Sequence, residues 1–464
     1  MKQWITLILG IACSFSLGAI SLQDSIELAR KNNKTLLMAA DDVQMADAKY
    51  REDRGSLLPQ LSLGGQYGLT KTYLPDSATG AMPSVSDLLD DEPTADDADY
   101  LIGDTLDGIM AGLMPSSPQE EGSLAAQVKM DQVLFLGGKL MNGIKAAKRY
   151  RSIQRLNYEV TEQDVILKTI DLFYQTILAG KVVDVQREAL NTAQRHLARV
   201  ELLGEEGQVS EFDLLSARLE VAKLQPQLLA AENQYELALQ SFRNLIGSED
   251  PDLVPEAEFI LPQVTLMDLQ EAQELGLKNR TELELLDIAT EVKEIQYKTE
   301  KGNFLPNIAL NASASLYSAA NEYAIESDDF GTSYAVGIGF SMPLFTGLSN
   351  KSKIAYARHD LSKARLQQVQ TEELVLLEIK QNHQRLRHAL ENYDVQIQNI
   401  QMAERNLELA QLRYENNVGI QLEVFDAQMT LASIKLQYYS AIYEVIAAER
   451  AFSKSIGQNL IAEK

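Results

Sequence analysis

Leu58-Pro59-Gln60-Leu61-Ser62-Leu63-Gly64-Gly65-Gln66-Tyr67-Gly68-Leu69-Thr70 is the stretch that decides the fold. After its proline, Leu61, Leu63, Tyr67 and Leu69 alternate with Gln60, Ser62, Gln66 and Thr70. A period of two, with one apolar and one small polar face, predicts a β-strand exposed to two different environments. The stretch has a second copy. At a constant offset of 247, residues 28–63 reappear at 275–310, so that Leu58-Pro59-Gln60-Leu61 becomes Leu305-Pro306-Asn307-Ile308. At an offset of 210, residues 133–247 reappear at 343–457: Leu134-Phe135, Gly137, Ala217 and Ile246-Gly247 fall on Leu344-Phe345, Gly347, Ala427 and Ile456-Gly457. One structural unit is built twice.

Two more strands follow the same rule. Leu124, Ala126, Val128 and Met130 oppose Gln127, Lys129 and Asp131; Tyr334, Val336, Ile338 and Phe340 oppose Ala335, Gly337, Gly339 and Ser341. The expected strands are 58–70 and 124–136 in the first repeat, 305–317 and 332–345 in the second. Four strands cannot close a barrel, for which about eight are needed. Their edges would therefore have to be closed by other copies: two copies supply eight strands and three supply twelve.

Each strand pair leads into long helices. Residues 139–203 lack proline, and a second helix is expected over 208–246, kinked at Pro226. The second repeat gives 348–413 and 421–456, separated by Asn416-Asn417-Val418-Gly419. Sixty-five residues of helix span roughly 100 Å and need coiled-coil partners to persist. Shorter helices are expected over 23–56 and 266–300, before each repeat's first strand. The boundaries are thus 22–247 for the first repeat, 248–264 for a proline-bearing linker, 265–457 for the second repeat and 458–464 for a tail.

Lys2, an apolar run from Trp4 to Ala12 and the small residues ending Ala19-Ile20-Ser21 read as a signal peptide over 1–21. Cys13 is the one cysteine, and Gly10 stands where a lipid-attachment motif wants leucine. No run is long and apolar enough for a spanning helix, so a membrane crossing would require a closed barrel. A net charge of −24 weighs against nucleic acid. The extra segment 71–122 holds twelve carboxylates against Lys71 alone, and reads as a solvated surface loop, with a loose Ca²⁺ site lacking EF-hand spacing or a lid over the barrel mouth as the other readings. No nucleophile elbow, phosphate loop or zinc-binding histidine pair is present, so neither an enzyme nor a cofactor is expected.

Taken in order and twice over, these pieces resemble the TolC-like outer-membrane efflux family across essentially the whole chain after residue 21. The specific signals are the two Leu-Pro openings, Pro343-Leu344-Phe345-Thr346-Gly347, and the paired turn patterns Gly207…Asp213…Ala217 and Asn417…Glu423…Ala427. The resemblance implies a mainly α fold with transmembrane β. A homotrimer would form a 12-stranded outer-membrane β-barrel, continued by a long periplasmic α-helical coiled-coil barrel. It implies an exit duct for efflux or type I secretion in a Gram-negative bacterium, set among outer-membrane lipids and served by a periplasmic adaptor and an inner-membrane pump. Glu423-Val424-Phe425-Asp426-Ala427 matches the family's acidic constriction, which makes Glu423 and Asp426 the gate carboxylates. Asp213 and Tyr414 match a tip latch whose basic position is here Gly419, and Gly204, Gly207, Ser210, Asn417 and Gly419 mark the adaptor-docking hairpin tips. From the residues alone, Glu423 and Asp426 share a helical face, and six such carboxylates around a threefold axis would attract cations. Acids in a helix's first turn also simply suit its dipole. A non-conducting periplasmic scaffold or surface adhesin, with a soluble sheet, is the other architecture open to this pattern.

Overall fold

The computed structural model describes residues 18–72, 84–85, 89, 97–113, 119–207, 209–261, 264–320, 330–416 and 418–458. Most of the expected leader, much of the acidic segment, Asn417 and the tail beyond 458 lie outside them. The elements in order are β1 (Ala19–Ile20), α1 (Leu22–Asn32), α2 (Lys34–Gly55), β2 (Gln60–Thr72), α3 (Asp97–Leu113), β3 (Gln119–Leu136), α4 (Lys139–Glu205) and α5 (Glu211–Ile246). Then come β4 (Val254–Pro255), α6 (Leu269–Asn279), α7 (Thr281–Lys301), a 3-10 turn (Gly302–Phe304), β5 (Asn307–Ala320), β6 (Phe330–Ser341), α8 (Ser349–Glu415) and α9 (Gln421–Ser455).

Two compact units share the chain. One comprises residues up to 50, 146–295 and 358 onward; the other comprises 51–145 and 296–357. The second unit holds one antiparallel sheet in the order β2-β3-β5-β6. Its register carries the alternation of single strands across the whole sheet. Leu63 pairs with Val128, Val128 with Ala314 and Ala314 with Tyr334 on one face. Ser62 pairs with Lys129, Lys129 with Ser313 and Ser313 with Ala335 on the other. A register shift between Val133 and Phe135 marks a bulge that bends β3 near its end. At the strand-to-helix corner Gly137 is left-handed (φ +60°), and a Cβ there would stand 2.2 Å from the Gly302 carbonyl oxygen. Only glycine fits.

The helical unit shows the duplication in its packing. Val165, Phe242 and Ile246 sit in one buried cluster; Val375, Phe452 and Ile456, each 210 residues on, sit in another. Phe173 meets Phe242 edge-on at 5.9 Å, and His383, at the matching position, meets Phe452 at 5.8 Å. His383 is thus a half-buried ring packed beside that cluster, with Nε2 3.0 Å from the Met267 carbonyl. Gly247 (φ +67°) lies against Asn32 and Gly457 (φ +72°) against Asn279, so the same helix-end contact is made twice.

Several expectations shift. The helices expected over 23–56 and 266–300 are each broken once, at Asn33 (ψ 121°) and Arg280 (ψ 120°), which are repeat-equivalent and buried. The Asn33 side chain repairs the break: Oδ1 accepts from Leu36 N–H, and Nδ2 donates to Leu245 O. Arg280 reaches Glu378 at 2.5 Å and Glu282 at 3.3 Å instead. Pro226 lies inside the continuous α5. The acidic segment is not all loop, since Asp97–Leu113 is helical with Ile102, Leu106 and Ile109 at helical spacing. The expected leader boundary at Ser21 falls inside a packed segment. Ala19–Ile20 pairs in parallel with Val254–Pro255, Ile20 is 2% exposed, and Ser21 caps α1 by accepting from Asp24 N–H.

Candidate functional site: the hairpin tips and the two-faced sheet

Two long hairpins, α4–α5 and α8–α9, end in short turns within the helical unit. At the first tip Gly207 (φ +73°) donates its N–H to Gly204 O at 3.0 Å. Ser210 then opens α5 as N-cap, with a full capping box: its hydroxyl accepts from Asp213 N–H, and Asp213 Oδ2 accepts from Ser210 N–H. At the second tip Val418 and Gly419 both donate to Arg413 O, at 2.9 and 3.0 Å, turning the chain back on the end of α8.

The duplication makes the second tip informative. Glu423 is the repeat-equivalent of Asp213, and Ile420 of Ser210. Isoleucine offers no side-chain cap, and none is made. Relieved of that duty, the Glu423 carboxylate meets Arg413 Nη2 at 3.4 Å. A Cβ on Gly419 would stand 2.9 Å from Glu423 Oε2, so the bare glycine leaves room for that carboxylate over the turn. The basic group missing at Gly419 is thus present nearby, on α8. Asp426, one turn further along α9, is exposed.

Asp213 and Tyr414 are not brought together by a hydrogen bond among the described residues: Asp213 serves the capping box, and Tyr414 packs with Leu407, Ala410 and Val424. What joins the first hairpin to the second here is His196 on α4. Its ring meets Phe425 edge-on at 4.8 Å and lies 6.2 Å from Tyr414. The Gln421 side-chain amide reaches His196 Nε2. Partial burial, then the nearby Arg199 charge, hold the His196 imidazole below the usual histidine range. Sequence reading passes over His196 because its partners lie more than 200 residues away; its place beside a tip turn is the only local signal. Farther along the hairpins Lys435 pairs with Glu188 at 2.7 Å, and Tyr443 donates to Asp171 at 2.6 Å, so α9 is tied to α4 at several heights.

The sheet is the second site. Leu61, Leu63, Tyr67, Leu69, Val128, Leu316, Tyr334, Val336, Ile338 and Phe340 all lie on its apolar face and are all exposed, Leu63 and Tyr334 at 79%. At about 1.5–3 kcal/mol for each side chain buried, covering these ten is worth on the order of 20 kcal/mol. So large an apolar face marks contact with lipid or protein. The opposite face carries Gln60, Ser62, Gln127 and Ser315, with Lys129 and Asn311 both on Asp131, at 2.9 and 2.5 Å. The sheet is small and polar on one side and apolar on the other, with β2 and β6 as its edge strands among the described residues. No helix among the described residues is long and apolar enough to cross a membrane. Nor do these residues include a cluster of three or more His, Cys, Asp or Glu arranged to hold a metal ion.

Comparison with known proteins agrees with this geometry. The chain is 22% identical over 478 residues to outer membrane protein TolC of Salmonella enteritidis, covering all of this chain and 88% of that one. It is 22% identical over 481 residues to TolC of Escherichia coli (strain K12), with the same coverage. Among solved structures, the Campylobacter jejuni CmeC outer membrane channel superposes with a TM-score of 0.76 at 17% identity, over 94% of this chain and 85% of that one. The family described as outer membrane efflux protein matches residues 25–248 and 273–458. The chain belongs to that family: it is a non-catalytic outer-membrane protein whose helical part stands in the periplasm.

Proposed function

We propose that three copies of this chain close their four-stranded sheets into one 12-stranded barrel, and that the helical hairpins continue it as a duct through the periplasm. The observation that carries this is the sheet's broad exposed apolar face together with its two edge strands. A soluble scaffold or adhesin would leave that face in water, which disfavours the other architecture. Pairing β6 of one copy with β2 of the next removes every edge.

The duct is passive. It takes substrate from an inner-membrane pump through a periplasmic adaptor, in efflux or type I secretion, and the tips around Gly204, Gly207, Ser210, Asn417 and Gly419 are where the adaptor docks. Asp213 stiffens the first tip through its capping box, and Tyr414 stiffens the second through its ring. Glu423 and Asp426 line the narrow end, where a ring of carboxylates favours cations. Single-channel conductance in a planar lipid bilayer tests this. Small, cation-preferring openings are expected, growing when Glu423→Ala and Asp426→Ala are combined. Openings that the double substitution leaves unchanged would remove these residues from the constriction.

A further inference from the structure

Midway along α4, where Tyr443 of α9 donates to Asp171, the helices leave a cavity of about 330 Å³. Small-molecule sites typically measure about 300–1,000 Å³. The cavity lies roughly 50 Å of helix away from the end of α4, so it belongs neither to the tip turns nor to the constriction. Its wall is apolar, with Leu167 and Ile170 from α4 and Ile446 from α9. Around that wall stand Lys168 of α4, Arg385 of α8 and Arg450 of α9. Among the described residues that line it, three cations thus stand against one carboxylate, in a chain whose acids outnumber its bases 66 to 42.

That carboxylate, Asp171, is already engaged, accepting from the Tyr443 hydroxyl at 2.6 Å. Burial, then the Asp171 carboxylate, hold the Tyr443 phenol above its ordinary value, so it remains a neutral donor. Arg450 pairs with Glu449 at 3.0 Å, outside the lining. Arg385 and Lys168 are exposed and make no ion pair among the described residues. The cavity therefore carries an excess of positive charge beside an apolar wall. The fold does not demand this chemistry. At the repeat-equivalent positions, 210 residues away, Gln175 stands for Arg385, Gln240 for Arg450, Asn233 for Tyr443 and Gln381 for Asp171. Neutral amides serve at each of those places in the helical unit.

We propose that this cavity binds a small organic anion, a carboxylate or sulfonate carried on an apolar or aromatic body. The guanidinium of Arg385 takes the anionic group, since its planar fork matches two oxygens at once, with Arg450 and Lys168 adding charge beside it. Leu167, Ile170 and Ile446 cover the body. The site goes beyond the duct reading and does not depend on conduction.

Isothermal titration of the full chain, held in phosphatidylcholine nanodiscs, with 2-naphthoate tests this, with empty nanodiscs as the blank and the neutral 2-naphthamide as the comparison ligand. Saturable binding of one naphthoate per chain is expected, at least tenfold tighter than the amide. Arg385→Gln combined with Arg450→Gln, which installs the amides of the other repeat, should weaken naphthoate at least tenfold and leave the amide unchanged. Should the double variant fail to assemble, Arg385→Gln alone decides, with a several-fold loss expected. No saturable binding, naphthoate no tighter than the amide, or affinity unchanged in the assembled variant would each overturn the site.

Discussion

Arg413 is the residue that sets how much charge the second tip presents. Its guanidinium lies 3.4 Å from Glu423, but both side chains are about half exposed, at 56% and 41%. Such pairs are worth about 0.2–1 kcal/mol. Arg413→Ala should therefore strengthen block by polyvalent cations modestly, lowering the blocking concentration by less than about tenfold. Blocking curves identical to wild type would show that Glu423 does not face the ions. Arg280 is the other residue to test. Burial alone would raise the Glu282 carboxyl, but hydrogen bonding and charge from Arg280 outweigh it and hold Glu282 below its ordinary value. A depressed carboxylate contributes stability above its unfolded pKa and loses it as pH falls through the folded one. Acid titration of unfolding should thus show wild type losing stability below about pH 4.5, and Glu282→Gln losing less over that range.

At the scale of elements, the strand-to-helix corners offer a comparison within one molecule. Gly137-Gly138 in the first repeat are both left-handed, and so are Gly347-Leu348 in the second, with Leu348 at φ +67°. A leucine there costs about 1–2 kcal/mol, and its side chain is 64% exposed. Leu348→Gly should raise the unfolding midpoint slightly rather than lower it. The N-terminal segment yields a second test. Ile20 is buried, and Gly18 and Ile20 accept from Val254 and Glu256 N–H, so these residues pack as part of the fold. Intact-mass measurement should place the mature N-terminus before Ile20; a chain beginning at Leu22 would contradict the packing.

Much of this was legible in the sequence. Period-two alternation gave the four strands of the larger sheet, and long runs of helix-forming residues gave the four long helices, because both follow from local spacing. The breaks at Asn33 and Arg280 were not legible, since a single extended residue without Pro or Gly leaves no pattern. Helix α3 was hidden by its acidic composition. At the tip, the family resemblance singles out Glu423 and Asp426, whereas Arg413 and His196 carry no such signal. The first needed the Ser210-to-Ile420 exchange to be seen in structure, and the second needed contacts across the whole chain.

For the whole molecule, the decisive feature is a four-stranded sheet that cannot stand alone. In the proposed barrel its exposed side chains would face hydrocarbon, and its edges would pair with neighbouring copies. Two copies would give eight strands and three would give twelve, and the interior of an eight-stranded barrel is just wide enough for its own side chains. The proposed duct is therefore one of three copies. The direct measurement is native mass spectrometry of the protein extracted with detergent from outer membranes. A single species of three chains is the expected result; a dimer, or a monomer released to the soluble fraction without detergent, would contradict the account.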